Sequence, residues 1–185
     1  MLRISRDFPC LYLTAVTKDR LPVFRTEAIK VLACAALNEA RKSSGLLILA
    51  YVIMPDHLHV VTGGDIKPSD ALRFIKGIAS RRIIDHLKQP QFAASLKKLQ
   101  VGTIERNHRY ALWEHHSNVV ALPGETLLMQ KVTYTHQNPV RLRLVERPED
   151  YRWSSARYWS HNPNANEPLV PDLDQIAWRA AAGRA

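Results

Sequence analysis

The chain's strongest structural constraint is a pair of apolar runs on either side of Pro55-Asp56. Residues 46–54 consist mainly of Leu, Ile, Val, Ala and Tyr, which is typical of a strand buried on both faces. Residues 57–62 are again rich in apolar and β-branched side chains. Because only a short turn separates the two runs, the sequence predicts a β-hairpin whose first strand lies in the core.

Strand and helix patterns before and after this hairpin alternate in a regular order. Thr26 is suited to cap a first helix and Gly45 to end it. Pro139 should end the last helix, because the residue before a proline is pushed out of the α region. The elements predicted outside the hairpin are a strand at residues 11–17, a helix from 27 to about 42, a helix from 69 or 70 to about 87, a strand at 110–115 and a helix from 124 or 125 to 138.

This order predicts an α+β, ferredoxin-like fold, in which a split βαβ unit forms an antiparallel four-stranded sheet. Two helices would cover one face of the sheet, and an added helix that carries Tyr134 would lie over the other face. A length of 185 residues favours a single domain. We expect that domain over residues 1–160 and a tail over 161–185, with a short helix from Asp172. Residues 92–99 fit either a short helix or part of a long basic loop.

Two histidines occupy alternate positions of the second hairpin strand. Because strand side chains alternate between faces, His57 and His59 project to one side and Leu58 to the other. Imidazole is a common metal ligand, but a lone pair of this kind is also typical of histidines at a surface or bonded to the backbone. A metal-binding histidine needs an acceptor for its other ring nitrogen, and Asp56 is a candidate.

A phenol and an amide lie one turn apart on the last predicted helix. Tyr134 and Asn138 are related as i and i+4 and therefore share a helix face. Each has an ordinary explanation alone, since tyrosines usually pack and Asn138 precedes a proline. A free phenol has a pKa of about 10 and is a poor nucleophile at pH 7 without help. Combined with the two imidazoles, however, the pair would make a metal site with a nucleophile beside it.

Positive charge is the main compositional signal. The chain has 26 Lys and Arg against 17 Asp and Glu, a formal net charge of +9 and a pI near 9.8. This balance favours a polyanionic partner, nucleic acid first and an anionic membrane second. The cations cluster on the second predicted helix and after Tyr134, which supports a phosphate-binding surface. The predicted DNA-binding residues are Arg73, Lys76, Arg81, Arg82, Arg141, Arg143 and Arg152.

Cysteine content and hydropathy indicate a cytoplasmic, reduced protein. Cys10 and Cys34 form neither a disulfide framework nor a CxxC metal clip. The longest apolar run, residues 46–54, is too short to span a bilayer, so we expect no membrane partner. The first residues lack a secretory hydrophobic core.

Of the remaining histidines, His136 is expected at a solvated helix position.

Several segments resemble the single-tyrosine HUH transposases, most closely their REP-associated branch. Residues 51–60 (YVIMPDHLHV) are similar to the HUH segment, and residues 134–141 (YTHQNPVR) to the tyrosine segment. Residues 148–155 (PEDYRWSS) match the stretch that follows in that branch, and 112–115 (LWEH) the strand before the tyrosine helix. Thr135 stands where the family usually has isoleucine. The resemblance covers roughly residues 8–160, in the family's order.

The resemblance implies a role for each matching residue. His57, His59 and Asn138 would hold a divalent ion, Mg²⁺ or Mn²⁺, an identity that rests on the family because imidazole does not select these metals. Tyr134 would attack a phosphate, forming a 5′-phosphotyrosine and freeing a 3′-hydroxyl. The implied partner is single-stranded DNA with a hairpin or palindromic repeat, not a small molecule, in the bacterial nucleoid. Some relatives exchange the tyrosine helix between subunits, so monomer and homodimer both stay open.

Two other functions remain alternatives. A metal-dependent nuclease that uses water would share the ion and the basic surface but would leave no protein–DNA adduct. A non-catalytic RNA-recognition-type module on the same fold would need aromatic side chains on its central strands. Residues 46–54 offer only Tyr51, and residues 57–62 offer none. A histidine-triad hydrolase is excluded, because a third alternating histidine would fall at Val61.

Overall fold

The computed structural model describes residues 9–101, 109–116 and 118–177 of the chain. Within them lies a four-stranded antiparallel sheet with the strand order β2-β3-β1-β4. The strands are β1 (Cys10–Val16), β2 (Leu47–Ile53), β3 (His57–Gly63) and β4 (Asn118–Leu122). The helices are α1 (Glu27–Ser44), α2 (Pro68–Leu87), α3 (Ala93–Lys98), α4 (Glu125–Arg141) and α5 (Ala156–Trp159). This order confirms the predicted α+β, ferredoxin-like fold.

The predicted hairpin is confirmed and forms one half of the sheet. Strands β2 and β3 pair antiparallel around the turn at Pro55-Asp56, and the Met54 N–H donates to the His57 carbonyl at 2.8 Å. All but the first residue of β2 are buried, as its continuous apolar character predicts. The histidine-bearing β3 lies between β2 and β1, and this interior position fixes its register on both sides.

Strand alternation divides the core into two layers, one on each face of the sheet. On one face, Leu13 and Leu58 pack against α1 and α2. On the other, Tyr12 and Val61 pack against α4 through Val132. Since His57 and His59 alternate with Leu58, they belong to the α4 face. The prediction that the added helix, which carries Tyr134, lies on the face opposite the other two helices is therefore confirmed.

Local signals set the ends of α1 as predicted. The Ile29 N–H donates to the Thr26 hydroxyl at 3.4 Å, so Thr26 is the N-cap. At the other end Gly45 adopts a left-handed φ of 72°, and its N–H donates to the Arg41 carbonyl. This conformation is readily open to glycine, and it ends the helix two residues beyond the predicted boundary.

The fourth strand was predicted in the wrong place. Residues 110–115 form only isolated bridges, between Thr17 and Trp113 and between Gln100 and Tyr110. Strand β4 is instead Asn118–Leu122, which pairs with β1. Trp113 is buried: its indole packs against Phe24 and donates to the Lys76 carbonyl of α2. The apolar residue that suggested a strand is therefore explained by this packing.

The last helix was also predicted to end too early. Helix α4 passes through Pro139 and ends at Arg141. A proline there removes the N–H that would have bonded one turn back and crowds the carbonyl at that position, a cost that the packing of α4 against the sheet outweighs. The Leu142 N–H donates to the Asn138 carbonyl and the Leu144 N–H to the Pro139 carbonyl, which closes the helix end.

The remaining segments are short turns and extended stretches. Residues 90–98 form a 3₁₀ turn (Pro90–Phe92) followed by α3, so the short-helix alternative is confirmed there. Most of the following basic segment, residues 102–108, lies outside the described residues. Near the C-terminus the expected short helix is a 3₁₀ turn, Leu173–Gln175. The division into a domain over 1–160 and a tail stays a prediction. Among the described residues, no helix combines the length and hydropathy that a bilayer span requires.

Candidate active site

Strand β3 presents both histidines to a single site beneath α4. The centroids of the His57 and His59 rings are 4.9 Å apart. His59 is 5% exposed, whereas the His57 side chain retains 13% of its accessible surface. The pair therefore sits at the rim of the sheet's buried face, where an incoming group can reach both rings.

Each imidazole is held through its Nδ1 atom. His57 Nδ1 lies 2.6 Å from the Asp56 carboxylate. His59 Nδ1 lies 2.7 Å from the Tyr12 hydroxyl and 2.9 Å from the Thr14 hydroxyl. These contacts fix both rings and leave Nε2 as the nitrogen that can face a ligand. The candidate acceptor for His57, Asp56, is thus the one observed.

Asp56 connects the site to a neighbouring loop. Its second carboxylate oxygen pairs with Arg20 at 3.1 Å. Burial tends to raise the pKa of Asp56, but the hydrogen bonds and positive charge of His57 and Arg20 outweigh it and hold the pKa below its usual value. The carboxylate is therefore ionised near neutral pH and orients the His57 ring.

Helix α4 brings Tyr134 and Asn138 to the histidines. The Tyr134 ring centroid lies 5.7 Å from that of His59, and 36% of the residue is exposed. Asn138 is 8% exposed, and its Nδ2 donates to the Tyr134 carbonyl at 2.8 Å. That bond uses the amide nitrogen, so the Asn138 side-chain oxygen, which faces the His59 ring, is the atom that could bind a cation. The four residues singled out from the sequence therefore converge.

Burial keeps the His59 ring neutral. It lowers the pKa of His59 to about 3, and the charges of His57 and Lys131 act in the same direction. A hydrogen bond with the Asn138 side chain opposes the shift only in part. Neutral imidazole is the form that binds metals, so the electrostatic environment suits a ligand role.

The donor set fits a divalent cation. The two imidazole rings are adjacent, the Asn138 side chain bonds His59, and neighbouring side chains hold both rings. In the ranges that the structure describes, no three His, Cys, Asp or Glu side chains are grouped so as to hold a metal. The third protein donor at the histidine pair would accordingly be Asn138.

Comparison with known proteins identifies the family. The model of IS200-like transposases matches residues 11–112, more than half of the chain and a span that includes His57 and His59. The chain belongs to the IS200-like transposase family. Its class of activity is therefore DNA transposition, which includes DNA cleavage.

Two solved structures are similar to the chain, and the first of them shares its fold. A REP-associated tyrosine transposase bound to a REP hairpin is 18% identical, with a TM-score of 0.61 over 89% of this chain and 87% of that one. A chain described as a transposase from Deinococcus radiodurans R1 is 23% identical, with a TM-score of 0.44 over 69% of this chain and 88% of that one. No curated protein matches the chain by sequence.

Two cations of this transposase flank Tyr134. The Arg141 guanidinium lies 4.7 Å from the Tyr134 ring centroid. The Lys131 ammonium lies 5.5 Å from the same centroid and 4.8 Å from that of Tyr12. Positive charge therefore borders the exposed phenol before and after it along the helix.

The other predicted DNA-binding residues lie away from the tyrosine. Those on α2 belong to the opposite face of the sheet, where Arg73 pairs with Asp70, and Arg81 and Arg82 both pair with Glu39. Lys76, also on α2, donates to the Glu114 carbonyl at 3.2 Å. Arg143 is exposed beyond α4 with a φ of 54°, and Arg152 lies over the Trp153 ring. Of this set, Arg141 contacts Tyr134.

Sequence reasoning missed three residues of the site. Tyr12 and Thr14 hold His59 from β1, and Lys131 borders Tyr134. Their signals were present, because Tyr12 and Thr14 alternate with apolar residues in a predicted strand and Lys131 is three positions before Tyr134. His136, expected to be solvated, is 7% exposed and bonds the Ser155 hydroxyl through Nε2 at 2.9 Å.

Proposed function

We propose that this transposase cleaves and rejoins single-stranded DNA through a covalent 5′-phosphotyrosine on Tyr134. One observation carries the proposal: the exposed Tyr134 ring lies 5.7 Å from the buried His59 ring of the same chain. A phenol beside a pair of oriented imidazoles is the arrangement that a nucleophile and a metal site require. Because both groups come from one chain, a monomer can form the site.

The reaction is a transesterification that balances without an energy source. Tyr134 Oη attacks the scissile phosphorus, a bond forms from that oxygen to phosphorus, and the bond to the 3′-oxygen breaks. The phenol loses one proton and the departing 3′-oxygen gains one. The phosphodiester is exchanged for a phosphotyrosine ester of similar energy, so the 3′-hydroxyl of a strand can reverse the step and rejoin the DNA.

His57, His59 and Asn138 would hold the divalent cation, which we propose to be Mg²⁺ or Mn²⁺. When bound, such an ion polarises the phosphate and offsets its charge. The chain's own contribution is to fix the three donors: Asp56 orients His57, Tyr12 and Thr14 orient His59, and the bond from Asn138 Nδ2 to the Tyr134 carbonyl orients the amide.

The proposed substrate carries a hairpin or palindromic repeat. A solved neighbour of the same fold is bound to a REP hairpin, and the net charge of +9 favours a nucleic-acid partner. Arg141 is the proposed phosphate contact nearest the nucleophile. More distant phosphate contacts are proposed for Arg73, Lys76, Arg81, Arg82, Arg143 and Arg152.

A covalent-adduct assay tests the proposal. The protein is incubated with Mn²⁺ and hairpin DNA that carries a single-stranded flank and a label at its 3′ end, the end that stays with the 5′-phosphotyrosine, then separated on a denaturing protein gel. We expect a labelled protein band that requires Mn²⁺. Tyr134→Phe should remove the band while retaining DNA binding, because the phenyl ring keeps the packing and loses the nucleophilic oxygen.

Tyr158→Phe is the matched control, since Tyr158 lies in α5 outside the site and should give the wild-type band. Cut DNA without a labelled band would indicate a nuclease that uses water. DNA binding without any cutting would indicate a non-catalytic binding module. Either result contradicts the tyrosine mechanism.

A further inference from the structure

Lys131 shares one stripe of α4 with three residues of the site. Positions 131, 134, 138 and 141 are spaced by three, four and three residues, so their side chains line a single helix face. The Lys131 ammonium reaches both the Tyr12 ring, at 4.8 Å, and the Tyr134 ring, at 5.5 Å. A cation thus lies directly beside the proposed nucleophile, on the side of α4 that precedes it.

Within the described residues, neither cation beside Tyr134 has a carboxylate that neutralises it. In the described parts of the chain, no carboxylate forms an ion pair with Lys131 or Arg141. The carboxylate at the site, Asp56, is engaged by His57 and Arg20. Among the described residues, the titratable groups that interact with Lys131 are Tyr12, Tyr134 and His59, and none of them carries negative charge in its ordinary neutral-pH form.

Two cations without a carboxylate partner among the described residues lie beside one phenol. An anion that binds there during the reaction would neutralise their charge. We propose that Lys131 is a catalytic residue that contacts a non-bridging oxygen of the scissile phosphate, together with Arg141. This inference rests on the proposed tyrosine mechanism and extends it. Attack by Tyr134 gathers negative charge on the phosphoryl oxygens, and a preorganised ammonium group stabilises that charge more in the transition state than in the ground state.

The competing explanation is structural. Lys131 could serve only to pack its stem and charge against the Tyr12 and Tyr134 rings, as cations over aromatic faces do. The two explanations differ in what they predict for the neutral, similarly shaped Lys131→Met variant. A packing role makes the loss independent of the substrate's charge, whereas a phosphate contact makes it depend on that charge.

The test measures single-turnover adduct formation with saturating hairpin DNA and Mn²⁺. Lys131→Met should slow the step by about 100-fold, with a melting temperature and DNA affinity close to those of the wild type. Lys131→Arg should recover most of the rate, because it restores the charge. Lys42→Met, at an exposed position near the end of α1, is the matched control and should leave the rate unchanged.

A second substrate separates contact from packing. Replacing the scissile phosphate with an uncharged methylphosphonate removes the oxygen charge that Lys131 would stabilise. The penalty for Lys131→Met should then fall to within about fivefold. An equal penalty on both substrates, or no penalty on the normal one, overturns the proposal. If wild-type protein forms no adduct while Tyr134→Phe behaves identically, the tyrosine mechanism itself fails and the role of Lys131 fails with it.

Discussion

Two basic helices on opposite faces of the sheet differ in whether their charge is available. On α2, Arg81 and Arg82 both pair with Glu39 of α1. Hydrogen bonds from Arg82 hold the pKa of Glu39 below its usual value, so the carboxylate stays ionised and offsets their charge. On α4, Lys131 and Arg141 lie over the Tyr134 ring. The number of cations in a segment therefore says less about anion binding than the partners those cations already have.

The largest effect should come from removing a ligand on the α4 face. His59→Ala should reduce adduct formation by about 1000-fold or more, because the loss of one imidazole weakens the proposed metal site and releases Tyr12 and Thr14. DNA binding, followed by fluorescence anisotropy, should change little. His86→Ala on α2 is the matched control. Equal losses in the two variants would remove the distinction between the faces.

Asp56 orients a proposed metal ligand, whereas Glu39 only offsets the charge of two arginines. The Mn²⁺ requirement of cleavage tests the role of Asp56. Asp56→Asn should raise the Mn²⁺ concentration needed for half-maximal cleavage by about 10- to 100-fold, because His57 loses the charged acceptor that orients its ring. Asp85→Asn, which removes the partner of Lys88 on α2, serves as the control. A Mn²⁺ titration that is identical for Asp56→Asn and wild type would show that the contact to His57 has no such role.

Substituting one arginine on each helix tests whether the two helices contribute differently to DNA affinity. Arg141→Gln should weaken binding of the hairpin substrate by about 3- to 10-fold. It should also lower the slope of log affinity against log salt concentration by about one, the loss of one phosphate contact. Arg81→Gln should cost about twofold or less, since Glu39 already offsets its charge. Anisotropy titrations at several salt concentrations give both quantities. A larger loss for Arg81→Gln would reverse the ranking of the helices.

The smallest expected effect is a gain. Glu39→Gln removes the carboxylate shared by Arg81 and Arg82, so affinity for single-stranded DNA should rise by about two- to threefold at low salt. Adduct formation at saturating DNA should stay the same, because the change lies on the face away from Tyr134. Unchanged affinity would mean that the α2 surface does not meet DNA even when its charge is released.

Local patterns predicted much of the fold and the main candidate residues. The hairpin, the two-residue histidine spacing and the four-residue spacing of Tyr134 and Asn138 are properties of neighbouring residues, so they can be read from the sequence. The fourth strand could not be found this way. Its position depends on which residues pair with β1, and that pairing leaves no local pattern. The segment around Trp113 resembled a strand because it is apolar, but Trp113 is apolar in order to pack against Phe24.

Contacts between distant residues explain the rest of what was missed. Tyr12 meets His59 across 47 positions, and Glu39 meets Arg81 across 42. Neither pairing leaves a periodic signal. The sequence therefore showed the clusters of cations but not which were neutralised, and it showed both imidazoles and the Asp56 partner of His57 but not the groups that hold His59.

The outer edge of β2 is occupied by later parts of the same chain. The Ser155 N–H donates to the Tyr51 carbonyl, the Ile53 N–H to the Trp153 carbonyl, and the Ile48 N–H to the Asp172 carboxylate. An open edge of this apolar strand would be a template for pairing with other molecules. A protein truncated before residue 150 would therefore be prone to self-association even with every proposed catalytic group intact, and shortened variants used in activity assays need residues 153–172 to stay in solution.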